Sequence, residues 1–183
     1  MILSVGEYTI SPSNARLLLR TYRKGVAQSV GHDLVLEAGS WSGLVVVGES
    51  LADCSVSGSV DIDSIAIVET SGGVKALSDK DRQDIDAELR KQLGAAEHPQ
   101  ATFASSSVTA SDTDGSVAGT FTVGGAPAPL TLTVARTEPG RFMVSAVVAQ
   151  TAHGIKPFSA FFGALKLRDE VDVEIQVDLT GGA

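Results

Sequence analysis

The chain has 183 residues, 43% of them hydrophobic, which is enough for one domain with a substantial core over residues 1–183. Its 22 acidic and 14 basic residues give a net charge of −8, which argues against a nucleic-acid partner and disfavours a surface that sits on anionic lipid. The single cysteine, Cys54, excludes an intramolecular disulfide and fits a reducing compartment.

The start of the chain bears on its location. Residues 1–8 lack the basic region and the apolar run that are typical of a signal peptide, and no segment approaches the ~20 apolar residues of a membrane helix. We therefore expect a cytoplasmic protein without stable membrane insertion.

Short alternating segments separated by turns fill the first third of the chain. They predict strands over residues 7–10, 16–22, 30–37, 41–47 and 56–62. Leu17 and Leu19 share one face of the second strand, and Leu34 and Leu36 share one face of the third. Several short strands at regular spacing are typical of an antiparallel sandwich or barrel.

One segment has the period of a helix. Ser78 is a suitable N-cap, Ile85, Leu89 and Leu93 recur every four residues, and Gly94 is a suitable stop. We expect this amphipathic helix to pack its apolar stripe against the end or flank of the β structure.

Strands resume after the helix, over residues 100–108, 116–123, 130–136, 142–150 and 171–179. The last strand alternates without exception, with apolar residues from Val171 to Leu179 on one face and polar residues on the other. Arg136 continues the apolar face of Leu132 and is expected at a rim or beside a polar ligand group. Of these ten segments we count about eight as main strands.

An aromatic loop over residues 151–163 precedes the last strand. It contains His153, Phe158, Phe161 and Phe162, and we expect it to form a rim or plug of the interior. Two interpretations stay open, since the phenylalanines either fill the end of the core or line a tunnel. Small residues on inward faces, Gly58, Gly119 and Ala146, favour a hollow interior.

No pattern predicts catalysis or metal binding. His32, His98 and His153 lie far apart and show no zinc-type spacing, and no serine lies in a nucleophile-elbow context. We therefore predict no catalytic residue, no metal and no cofactor. His32 and His153 either contact a ligand head group or are structural histidines with satisfied hydrogen bonds.

Four stretches in this order resemble the YceI-like family of polyisoprenoid-binding, lipocalin-like barrels, from about residue 7 to residue 179. These are Tyr8-Thr-Ile-Ser-Pro12, Val60-Asp-Ile-Asp-Ser-Ile65, the helix leading to Glu97-His-Pro-Gln-Ala-Thr-Phe103, and Val117-Ala-Gly-Thr-Phe-Thr-Val-Gly-Gly-Ala-Pro-Ala-Pro-Leu-Thr-Leu132. The resemblance implies an all-β, elongated, eight-stranded antiparallel barrel that holds a long apolar chain. It implies no shared catalytic constellation, and a homodimer would be unsurprising for the family. The chain departs from the family at Leu93-Gly94-Ala95-Ala96, where a pair of phenylalanines is usual.

Together the residues and the resemblance predict a non-enzymatic protein that binds, transports or stores a polyisoprenoid, isoprenoid quinone or fatty acyl compound. Two alternatives are a filled barrel that acts through its surface as a stress or interaction protein, and an enzyme of isomerase or hydrolase type that uses the same pocket. The residues predicted to contact the ligand are Leu17, Leu19, His32, Leu34, Leu36, Phe121, Leu132, Arg136, His153, Phe158, Phe161 and Phe162.

Overall fold

A computed structural model describes residues 3–180, so residues 1–2 and 181–183 of the expected domain lie outside the described residues. The described chain contains fourteen β-strands and one α-helix. The strands before the helix are β1 (Gly6–Ile10), β2 (Ala15–Thr21), β3 (Arg23–Lys24), β4 (His32–Ala38), β5 (Trp41–Val47), β6 (Ser55–Asp61) and β7 (Ile65–Gly72). The helix is α1 (Asp79–Gln92), and the strands after it are β8 (Gln100–Ala110), β9 (Asp114–Val123), β10 (Ala126–Glu138), β11 (Arg141–Ala149), β12 (Ser159–Ala160), β13 (Leu165–Leu167) and β14 (Glu170–Asp178).

Eleven strands form one antiparallel sheet in the order β1-β5-β6-β8-β9-β10-β11-β14-β2-β4-β7. The sheet is strongly curled into a half-barrel, and β12, β13 and β3 form a separate small sheet. The all-β antiparallel class is confirmed, whereas the expected count of eight strands is wrong. The extra strands come largely from short pieces and from an edge strand that hydrophobic alternation does not reveal.

Two strands show why alternation failed locally. β7 carries an apolar residue, Val68, on its exposed face, so its pattern is not of period two. β10 begins at Ala126 and includes Pro127 and Pro129, although the sequence predicted this strand only from residue 130. Its first seven residues pair with β9 alone, because pairing with β11 begins at Thr133. Proline lacks an N–H and is tolerated where a strand has a neighbour on one side only.

The helix forms as expected. The Ser78 hydroxyl accepts a hydrogen bond from the Asp81 N–H, and the Asp81 carboxylate accepts one from the Ser78 N–H, which makes a reciprocal capping box. Ile85, Leu89 and Leu93 pack against the core cluster around Leu36. Within residues 3–180, no helix combines the length and the apolar character needed to cross a membrane.

The core lies on the concave side of the curled sheet. Its most buried side chain is Ile62, with 0% exposure, just after β6. A second cluster joins Ile62 to Ala101, Val123 and Ile155, so the loop after β11 is packed onto the sheet. The helix and this loop therefore cover part of the interior that the sheet leaves open.

Candidate ligand-binding site

The concave face of the sheet encloses a cavity of about 430 Å³. This volume lies within the range of about 300–1,000 Å³ that is typical of small-molecule sites. The inward faces of most main-sheet strands contribute to its wall, as do Leu89 and Leu93 of α1. The alternation of the last strand places its apolar face in this wall, as predicted: Val171, Val173, Ile175, Val177 and Leu179.

The cavity wall is almost entirely apolar. It contains no Asp, Glu, Lys, Arg or His among the described residues, and its one ionisable side chain is the thiol of Cys54. Its polar members are neutral hydroxyl and amide side chains, such as Ser59 and Gln150. A charged group placed inside would lose its hydration without gaining a counter-charge, which is strongly unfavourable.

Three neutral polar groups of the wall have no hydrogen-bond partner among residues 3–180. They are the Thr21 hydroxyl at the end of β2, where the residue is only 8% exposed, the indole N–H of Trp41 at the start of β5, and the Ser59 hydroxyl on β6. Buried polar groups are almost always paired, so each exception leaves a position for a water molecule or a ligand atom as its partner. All three groups can donate a hydrogen bond to a neutral oxygen.

Five residues predicted to contact the ligand line this cavity. They come from four strands of the main sheet: Leu17, Leu19, Leu36, Phe121 and Leu132. Leu34 is buried in the adjoining core cluster and is not part of the wall.

The three predicted head-group residues lie outside the cavity wall and contact other groups. A ring nitrogen of His32 is 2.9 Å from the Lys75 carbonyl oxygen. His153 is buried, where its Nδ1–H donates to the Ala126 carbonyl and its ring packs edge-on against Phe121. Arg136 is exposed near the end of β10. The structure does not bring these three side chains together at one site.

The aromatic loop is turned outward. Phe158, Phe161 and Phe162 are exposed and absent from the cavity wall. They project from the small sheet of β3, β12 and β13, whose one contribution to the wall is Leu167. The position of these phenylalanines differs from the expected rim or plug, because backbone pairing with β3 holds the loop on the outside of the barrel.

Asp169 closes the base of the aromatic loop. Its carboxylate accepts hydrogen bonds from the Thr151 N–H and hydroxyl, and its backbone oxygen accepts one from the Gln150 N–H. The bonds from Thr151 lower the pKa of Asp169 below its usual value, because they stabilise the charged carboxylate. Since Gln150 and Leu167 both line the cavity, this closure fixes one part of its wall.

Sequence reasoning did not identify Thr21 and Trp41 as site residues. Their positions were available from the alternation, because Thr21 continues the face of Leu17 and Leu19, and Trp41 begins the face of Gly43 and Val45. What no pattern shows is that their polar atoms lack partners. Within the described residues, no three His, Cys, Asp or Glu side chains are grouped so that they could hold a metal ion.

Comparison with known proteins gives three findings. A family model described as a YceI-like domain matches residues 8–179. A crystal structure of Burkholderia cenocepacia BcnA superposes with a TM-score of 0.62 at 17% identity, covering 89% of this chain and 94% of that one. A crystal structure of a Campylobacter jejuni YCEI protein gives a TM-score of 0.53 at 15% identity, covering 81% and 83% respectively. No curated protein matches the sequence.

Proposed function

The chain belongs to the YceI-like family, and on this premise we propose that it binds a long, uncharged apolar molecule in the cavity and carries or stores it without chemical change. The observation that supports this most strongly is the cavity itself, whose wall, within the described residues, is apolar and contains no carboxylate, ammonium, guanidinium or imidazole group. A filled barrel would have no cavity, whereas the structure has one, and this supports ligand binding over the filled-barrel alternative.

The absence of charge from the described wall restricts the ligand. A fatty acid carboxylate inside the cavity would face only apolar and neutral side chains, and this burial costs several kcal/mol. A polyisoprenoid, an isoprenoid quinone or a fatty acyl ester has no such cost. The buried part of the ligand is therefore neutral in this proposal.

Thr21 and Trp41 supply the polar contacts in the proposal. A carbonyl, ether or hydroxyl oxygen on the ligand accepts a hydrogen bond from the Thr21 hydroxyl or the Trp41 indole N–H, neither of which has a partner within residues 3–180. Contacts of this kind fix the orientation of a ligand, while the burial of apolar surface gives most of the affinity, at about 25 cal/mol per Å².

A fluorescence titration tests the proposal directly, because Trp41 is the single tryptophan and lies in the cavity wall. We expect its emission to change saturably on titration with a neutral long-chain methyl ester. The free fatty acid of the same chain length should bind at least about tenfold more weakly at neutral pH, since the part of the wall that the structure describes holds no cation.

Two controls complete the titration. A short-chain methyl ester should bind far more weakly than the long-chain one, because each buried methylene adds about 0.8 kcal/mol to the binding free energy. Val147→Phe, at an exposed position on β11 outside the wall, should leave both affinities unchanged. Equal affinity for acid and ester, or no saturable change with any neutral chain, would contradict the proposal.

A further inference from the structure

One surface of the molecule is both apolar and basic, and two chain segments that pack against each other form it. It consists of residues 23–30 and residues 156–168, and it is called the aromatic tip here. Leu167 of β13 pairs with Arg23 of β3 across the small sheet, and the Ala27 N–H donates to the Ala164 carbonyl. Gly25 lies against the Ala164 backbone so closely that a Cβ there would overlap the carbonyl.

The aromatic tip concentrates exposed apolar side chains. Of the eleven large hydrophobic side chains exposed in the described residues, five belong to it: Val26, Val30, Phe158, Phe161 and Phe162. Val26 is 94% exposed and Phe162 is completely exposed. Exposed apolar clusters of this kind mark interaction sites, whereas single exposed side chains do not.

The backbone holds the two adjacent phenylalanines outward. Phe161 and Phe162 have φ values of 51° and 54°, and they are the only non-glycine residues with positive φ in the described chain. A bulky residue in this region is strained by about 1–3 kcal/mol, and such strain is concentrated at functional sites. Phe161 is 65% exposed and Phe162 is fully exposed, so burial of the rings offsets little of this strain.

The charge of the tip is opposite to that of the whole protein. Residues 8–32 and 139–168 contain no aspartate or glutamate, although the chain carries a net charge of −8. Lys24, Lys156, Lys166 and Arg168 therefore lie on a surface whose own segments have no acidic residue. Arg23 is engaged with Asp33, and Asp169, which follows Arg168 directly, accepts hydrogen bonds from Thr151.

Two lysines in the tip oppose one another directly. Lys24 and Lys166 are cross-strand partners, and like charges in this arrangement destabilise a sheet. The Lys166 side chain also passes beside Gly163, next to the two phenylalanines, so that positive charge flanks the exposed rings. An anionic surface would relieve the repulsion and accept the rings at the same time.

From these observations we infer that the aromatic tip docks reversibly on an anionic lipid bilayer, with Phe161 and Phe162 inserted at the level of the head groups and the lysines on lipid phosphates. The net charge of the chain disfavours such contact on average, but the two segments that build this surface contain no acidic residue. Leu167 joins the tip to the cavity wall, so docking places the cavity beside the membrane. The use of this contact for ligand uptake or release rests on the proposed function.

Vesicle co-sedimentation tests the inference. We expect the full chain to bind vesicles of phosphatidylcholine mixed with phosphatidylglycerol, to bind pure phosphatidylcholine much less, and to be released by high salt. Lys24→Gln/Lys166→Gln should weaken binding by about tenfold or more, since each basic residue contributes roughly a fivefold factor. Phe161→Ser/Phe162→Ser should weaken it by about as much.

Matched variants control for charge and for exposed apolar surface. Lys80→Gln/Lys91→Gln makes the same charge change on the exposed side of α1, and Val147→Ser removes an exposed apolar side chain from β11. Both should leave vesicle binding unchanged. Equal loss in these controls, or no preference for anionic vesicles, would overturn the inference.

Two further outcomes separate this inference from other interpretations. If the chain forms a dimer that Phe161→Ser/Phe162→Ser abolishes and does not bind vesicles, a second copy occupies the tip and the inference is wrong. The tip variants should retain the Trp41 titration, because none of the four residues lines the cavity. Vesicle binding without any cavity ligand would leave the docking inference standing while the proposed function fails.

Discussion

Gly119 shows how a single residue shapes the interior. It lies on β9 between Val117 and Phe121, which both line the cavity. A Cβ at this position would lie 2.6 Å from Cζ of Phe103 and would overlap the backbone oxygen of Ala104. The glycine is therefore required for Phe103 to lie across the strand. The sequence indicated an inward small residue here, and the structure shows that a neighbouring ring fills the space.

We predict that Gly119→Ala lowers the free energy of unfolding by about 1–3 kcal/mol, because the neighbours must move to admit one carbon. Urea denaturation measures this change. Gly39→Ala is the matched control, since its nearest neighbour would be 3.5 Å away, and it should shift the free energy by less than about 0.5 kcal/mol. Equal effects of the two substitutions would show that the close contact with Phe103 is absent.

Thr21 links stability to binding. Its buried hydroxyl has no partner within residues 3–180, so Thr21→Val removes an unsatisfied polar group while keeping the shape of the side chain. We expect the ligand-free protein to gain about 1 kcal/mol in stability, and an ester or quinone to bind more weakly than to the wild type, whereas a hydrocarbon should not. Thermal denaturation and Trp41 titration measure the two effects.

Thr131→Val, at an exposed site on β10, is the control and should alter neither property. A loss of stability in Thr21→Val would mean that the hydroxyl is paired in the folded protein. That result would remove the argument that a ligand supplies the missing hydrogen-bond partner of Thr21.

At the scale of elements, the aromatic loop depends on its closure at Asp169. The two ends of the loop are joined by the bonds between Asp169 and Thr151, and by the bond from the Gln150 side chain to the Arg168 carbonyl. These bonds fix both the outward Phe161–Phe162 turn and the inward Leu167. One closure therefore maintains the aromatic tip and part of the cavity wall.

Asp169→Asn should destabilise the protein by about 1 kcal/mol at neutral pH, because the charged acceptor is lost. The folded state lowers the pKa of Asp169, so the carboxylate stabilises the fold above the usual Asp pKa. This stabilisation disappears as the pH falls through the lowered pKa of the folded state. Urea midpoints should therefore differ at neutral pH and converge in acid, below the usual Asp pKa.

Asp112→Asn in the turn before β9 serves as the control, since its side chain is exposed and makes no hydrogen bond within the described residues. It should leave the pH profile of the wild type unchanged. A gap between Asp169→Asn and wild type that stays constant from neutral to acid pH would show that the carboxylate is not the source of the stabilisation.

At the scale of the whole molecule, the inward and outward faces of the sheet were largely predictable, and the exceptions have identifiable causes. β14 and α1 followed their patterns because each packs one apolar, partly buried face toward the interior. Leu18 shares a face with Arg16 and Arg20, yet it is only 4% exposed, since the ion pairs of these arginines with Glu37 and Glu174 cover it. Period two cannot reveal burial by neighbouring polar side chains.

The aromatic loop escaped prediction for the opposite reason. Aromatic residues are usually buried, so Phe161 and Phe162 were expected to contact the interior. Their outward position depends on the pairing of β13 with β3, which joins residues distant in sequence. The described cavity wall lacks charge because of the register of many strands, in the same way. The sequence of any single segment therefore could not predict this property.

The cavity predicts how the molecule tolerates added volume. Leu132→Trp places a larger side chain into the space of about 430 Å³ and should abolish ligand binding with little loss of stability. Val147→Trp adds a larger volume on the exposed face of β11 and should leave binding intact. A loss of more than about 3 kcal/mol in Leu132→Trp would indicate a packed interior instead of a cavity.

The most direct measurement is native mass spectrometry of the freshly purified protein, followed by organic extraction and identification of the released molecule. The account predicts a stoichiometric neutral apolar adduct of a few hundred daltons on the wild type, lost on extraction and absent from Leu132→Trp. A wild-type mass without adduct, unchanged after incubation with polyprenyl quinones and long-chain esters, would contradict the account.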